Sequence, residues 1–133
     1  MEDKITFYSD LSFTISKLSP GNKTEKQVFK LVEDFRNSEH FQKTIYHLVD
    51  LRNCNFLFGI EKLDTFLEPI MHYRNIGKIL KGAYIVNTTK ETAMIHLLQE
   101  KMPEYVYCSG RFFAFKHLDL GISYGRFLEL IDN

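Results

Sequence analysis

Tryptophan is absent from the chain, cysteine occurs twice and proline three times, and seventeen Lys and Arg offset seventeen Asp and Glu. Each shortage excludes something. Cys54 and Cys108 alone make no disulfide framework and suit a reducing compartment. A formal charge of zero argues against a general nucleic-acid binder, whose affinity comes from neutralised phosphates. No stretch free of Asp, Glu, Lys and Arg exceeds eight residues, as in Gly82–Thr89, so no transmembrane helix is predicted. The opening MEDKITFYSD has neither the basic nor the apolar region of a signal peptide, so a cytoplasmic location is expected. Repeats, linkers and low-complexity tracts are missing too, and residues 1–133 read as one domain.

Aromatic residues are plentiful: twelve Phe and seven Tyr make up 14% of the chain. Phe buries well, whereas Tyr often sits at a boundary with its hydroxyl in water. A chain this aromatic is expected to leave some ring area exposed, and exposed ring area often marks a contact surface.

Patterning predicts the elements. Ile5–Tyr8 and Phe13–Leu18 alternate apolar and polar residues around Ser9-Asp10-Leu11, which reads as a β-hairpin. Thr24-Glu25-Lys26-Gln27 has capping-box spacing, and Val28, Leu31, Val32 and Phe35 follow at helical intervals, predicting a helix from Glu25 to Arg36. Thr44–Leu51 is a compact apolar run that suits a strand buried on both faces. Ile60, Leu63, Leu67, Ile70 and Met71 mark a second helix with Pro69 inside it, where a kink is expected. Ala83–Val86 reads as a strand, and Thr88-Thr89-Lys90-Glu91 as a second capping box opening a helix that ends before Pro103. Arg111–Phe115 reads as the last strand, and Leu120, Tyr124, Phe127, Leu128 and Ile131 as a closing helix. The predicted order is β-β-α-β-α-β-α-β-α. That is an α/β sandwich with a mixed, mainly parallel sheet, holding Tyr46, Leu48, Ile85, Phe113 and Phe115 in or near its core.

This order resembles the STAS-like superfamily, and within it the SpoIIAA-like (STAS/SEC14-like) branch. The residues that carry the likeness are Gly21-x-x-Thr24, Leu48-Val49-Asp50-Leu51-Arg52, Ala83-Tyr84-Ile85-Val86, Thr89-Lys90-Glu91-Thr92-Ala93 and Gln99-Glu100-Lys101-Met102, with Phe115 before a terminal helix. The resemblance runs from Ile5 to Leu130 and implies a single STAS-like domain of bacterial origin with a regulatory, non-catalytic role. Anti-sigma-factor antagonists of that superfamily carry a phosphorylatable Ser at the start of the helix after the Asp-Leu strand. Here the position reads Leu57-Phe58-Gly59-Ile60, with no hydroxyl residue between Arg52 and Asp64. A phosphate switch at that helix start is therefore not expected.

Chemistry-bearing residues are scattered. The five His fall on five different predicted segments without metal-ligand spacing, so no metal and no cofactor is expected. Cys54 lies in a loop where an open α/β sheet places ligand-binding residues, with His47 or His72 as a base within conceivable reach. A buried small apolar role is the plainer alternative for Cys54. Asp50, at the carboxyl end of a central strand, is the one acid in a site-like position, and pairing with Arg52 is its alternative role. Phe56, Phe58, Phe66 and Tyr73 are expected to form an aromatic ridge on the loop and second helix, either exposed as a protein-contact surface for another protein or a second copy in a homodimer, or covered by a neighbouring loop. The alternative function is a domain that binds a small apolar ligand or a lipid. No nucleophile–base–orienter set can be assembled from the sequence, so no enzymatic activity is expected.

Overall fold

A computed structural model of the chain describes residues 3–75 and 80–132, and for residues 70–75 the backbone alone. Two short strands, β1 (Lys4–Tyr8) and β2 (Phe13–Lys17), form the antiparallel hairpin that the alternation predicts. Ser12 closes its turn in the left-handed region at φ 50°. The chain then passes through a three-residue strand β3 (Gly21–Lys23) into α1 (Glu25–Arg36). The reciprocal capping box is present at the start of α1: Thr24 Oγ1 accepts from the Gln27 backbone, and Gln27 Oε1 accepts from the Thr24 backbone.

The apolar run becomes β4 (Tyr46–Asp50), in the middle of the sheet as expected. A short strand β5 (Cys54–Phe56) pairs with β3, and α2 (Leu63–Asn75) passes unbroken through Pro69. After β6 (Lys81–Ile85) comes α3 (Thr89–Lys101). The second capping box does not close as predicted. Thr88 stands at the N-cap, but its hydroxyl donates to the Glu91 carboxylate at 2.5 Å instead of capping the helix, and the other Glu91 oxygen accepts from the Phe56 backbone at 2.9 Å. Glu91 thereby ties the start of α3 to the loop after β5, and its burial is balanced by these two donors.

The last strand is not where patterning puts it. β7 is Tyr105–Cys108, and Arg111–Phe115 lies in helix α4 (Arg111–Leu118), which is followed by α5 (Tyr124–Ile131). Ala114 and Leu118, four residues apart, bury one stripe of α4, and Phe112 and Phe113 before them lie exposed elsewhere on the helix. Phe113, expected in the sheet core, is 59% exposed on α4, and Phe115 packs partly buried against the helical layer rather than within the sheet.

The five-stranded sheet has the order β1-β2-β4-β6-β7, antiparallel at β1 and parallel throughout the rest. Successive parallel strands are added in one direction, so right-handed crossovers place α1, α2 and α3 on the same face. That face buries Phe35, Phe66, Met94 and Ile95, while α4 and α5 cover the other with Leu118, Phe127 and Ile131. β4 is therefore packed from both sides, with Leu48 toward α4 and α5 and His47 toward α1 to α3. At the open edge of β7 the Tyr107 N–H donates to the Gln99 side chain at 2.7 Å, which blunts that edge for further strand pairing.

Candidate functional site

The parallel register decides what faces the three-helix side. His47 on β4 is aligned with Thr14 on β2 and Gly82 on β6, and Gly82 with Tyr105 on β7. Ser16 stands two residues further along β2. Because Gly82 has no side chain, the Tyr105 ring reaches across β6 to His47. The result is a chain of three buried polar groups: Ser16 Oγ lies 2.7 Å from His47 Nε2, and His47 Nδ1 lies 2.5 Å from the Tyr105 hydroxyl. Phe35 stacks on the imidazole at 3.9 Å between ring centroids. Burial pushes the His47 pKa down to about 3, so the ring is neutral near pH 7 and carries an N–H on one nitrogen only.

Above this polar chain, between the sheet and α1, α2 and α3, lies an apolar cavity of about 60 Å³. Its floor includes Ser16, His47, Tyr84 and Tyr105. Its walls come from α1 (Leu31, Phe35), α2 (Leu63, Phe66) and α3 (Met94, Leu98), and β5 and the loop after it add Phe56 and Phe58. One water needs roughly 10–15 Å³ by this kind of measure, so the void exceeds a packing defect. Among the described residues no charged side chain lines it.

The aromatic ridge expected on the surface is therefore corrected: Phe56 is 4%, Phe58 9% and Phe66 3% exposed. Phe56 and Phe58 stack at 5.0 Å, and Phe66 meets Phe58 at 5.3 Å, within the core. The alternation Cys54, Phe56, Phe58 inward and Asn55, Leu57 outward is the strand signal that a reading of three consecutive apolar residues as loop overlooks. On α2 the inward face is turned relative to the predicted one: Ile60, just before the helix, is 55% exposed while Phe66 is buried. The Tyr73 side chain, with that of His72, lies outside the described residues.

Asp50 does sit at the carboxyl end of the sheet, and it is committed to internal partners. Arg52 grips it with both nitrogen branches, Nε to Oδ1 at 3.0 Å and Nη2 to Oδ2 at 2.8 Å. Lys17 Nζ stands 3.9 Å from Asp50, and Arg52 reaches on to Asp132, which Arg111 also contacts. Hydrogen bonding to Asp50 is the main cause that raises the Arg52 pKa. Cys54 is buried, with its Sγ near the Leu18 and Ser19 carbonyls, and burial pushes its thiol up to about 11. Such a thiol is a poor nucleophile. His47, the base proposed for it, is bonded instead to Ser16 and Tyr105.

Sequence reasoning missed two things. Ser16 and His47 are 31 residues apart, and only strand register joins them. Phe112 and Phe113, placed in a strand, are 47% and 59% exposed at the start of α4, with Lys116 Nζ 5.6 Å from the Phe112 ring centre. Among the described residues no group of three His, Cys, Asp or Glu could hold a metal, and no helix is long and apolar enough to cross a membrane.

Comparison with known proteins adds no relative: no protein-family model, no curated protein and no solved structure matches the chain.

Proposed function

We propose that this chain is a non-catalytic binding module of the STAS-like, SpoIIAA-like kind, and that its internal cavity receives a small apolar molecule. The cavity beneath α1, α2 and α3 is the observation that carries this reading, because natural cores are close-packed and rarely keep a void of that size. A regulatory role in a bacterial cell follows from the resemblance, and binding would act by filling the core rather than by phosphorylation. The helix start offers no hydroxyl group between Arg52 and Asp64. Catalysis is not favoured. The Ser16–His47–Tyr105 chain has the connectivity of a nucleophile, a base and an orienter, yet a ring held near pKa 3 is a weak base.

A second reading is favoured by Phe112 and Phe113: a protein-contact module, acting on another protein or as a homodimer through the exposed start of α4. One preparation tests both. Protein purified natively from its own host should be monomeric by native mass spectrometry and should yield a stoichiometric small molecule on solvent extraction. A dimer or a co-purified chain with no extractable molecule would reverse the preference.

A further inference from the structure

The cavity floor is polar in one place. Ser16 and His47 are 1% and 4% exposed, they line the void, and their polar atoms are 2.7 Å apart. A neutral imidazole has one N–H donor and one bare nitrogen, so its two hydroxyl partners cannot both donate to it. With the proton on Nε2, Ser16 accepts from His47, Tyr105 donates to Nδ1, and the Ser16 O–H is released to donate elsewhere. Ser16 borders the void, so a molecule in the cavity is within that hydroxyl's reach.

Building on the cavity reading, we propose that the cavity selects a small neutral molecule with one hydrogen-bond acceptor, a carbonyl or ether oxygen, which takes the Ser16 hydroxyl proton in a hydrogen bond. The rest of the ligand is apolar, matching walls of Leu, Met and Phe. An anion is excluded by the same surroundings, since no cation lines the space among the described residues and the imidazole beneath resists protonation. Occupation also fixes the tautomer: the ligand oxygen accepts from Ser16, Ser16 from His47 Nε2–H, and His47 Nδ1 from Tyr105. No bond to hydrogen is broken in the ligand.

Three molecules of one shape test this: acetone, isobutene and acetate, titrated against the whole chain while the methyl signals of Met94 and Leu98 are followed by NMR. Acetone and isobutene should both bind, and acetate should not. In Ser16→Ala acetone should weaken roughly five- to tenfold, the worth of one hydrogen bond, while isobutene is unchanged. Imidazole ¹⁵N shifts of the unaltered protein, which need no variant to fold, should place the proton on Nε2 when acetone is bound. If neither neutral molecule binds, the cavity reading itself falls. If isobutene binds but acetone is indifferent to Ser16→Ala, or leaves the proton on Nδ1, or if acetate binds, the cavity reading stands and the selectivity is overturned.

Discussion

The ring of Tyr105 covers Gly82 on the neighbouring strand so closely that a β-carbon at residue 82 would stand 2.4 Å from Tyr105 Cδ2. Glycine is required there for space, and the space is what lets Tyr105 reach His47. Gly82→Ala should therefore push the ring aside and cost about 2 kcal/mol in urea denaturation. In a Tyr105→Ala background the same change should cost little, because the clash has gone. Equal costs in both backgrounds would show that Gly82 is needed for some other reason.

His47 gives the fold a pH dependence of definite sign. Its pKa falls from 6.5 in the unfolded chain to about 3 in the folded one. Between those values the unfolded chain takes up a proton that the folded one refuses, so stability is full above pH 6.5 and declines as pH falls. The slope approaches about 1.4 kcal/mol per pH unit in that window. His117 adds in the same sense, held down by burial and by Lys81 against the opposing hydrogen bond that its ring donates to the Gly82 carbonyl. Urea curves at pH 7 and pH 5 should show the loss, and His47→Gln should flatten it. An unchanged slope in the variant would place the proton uptake elsewhere.

Much of this architecture is legible in the residues, and the failures have physical causes. Thr44–Leu51 announces a doubly buried strand because apolar and β-branched residues on both sides leave no solvent face, and β4 follows. The capping box at Thr24 works because both of its bonds are local. Arg111–Phe115 misleads because Phe serves a strand or a helix equally well. What decides is the burial of Ala114 and Leu118 against the sheet, a tertiary fact. The aromatic residues at 56, 58 and 66 are readable as a cluster, but the loop reading leaves out which side of the chain each one faces. The alternation at 54–58 marks one side of β5 as inward, but the burial of Phe66 depends on its meeting Phe58 across the fold, which no local pattern states. Least legible is the Ser16–His47–Tyr105 chain, since its members lie on three strands and meet only through register.

The ion pairs at the carboxyl end of the sheet should be unequal in worth. The Asp50 side chain is nearly sealed from solvent and is gripped at both oxygens by Arg52, whereas Asp132 is 41% exposed. Asp50→Asn removes a charge that two buried-side cations face, and should cost about 2–3 kcal/mol. Asp132→Asn should cost less than about 1 kcal/mol, most of it lost in high salt. Thermal unfolding of both variants at low and high salt separates the cases. A salt-sensitive loss at Asp50 equal to that at Asp132 would contradict the assignment of Asp50 as the structural acid.

Phe58 decides between a core and a surface role for the aromatic cluster. Its ring is stacked on Phe56, tilted against Phe66 and set in the cavity wall, so Phe58→Ala deletes packed atoms and enlarges a void already present. The expected cost is about 3 kcal/mol, a large core residue lost without collapse. An enlarged apolar void also gains a use for apolar solutes. Benzene at ten times its dissociation constant should restore about 1.4 kcal/mol through binding to the folded state alone. Melting curves with and without benzene should thus separate widely for Phe58→Ala and less for the unaltered chain. Were Phe58 a surface contact, the substitution would leave the melting temperature nearly unchanged and benzene would have no larger effect on the variant. A collapsed wall would give the loss of stability without the response to benzene, and would show that α2 closes onto the sheet when the ring is removed.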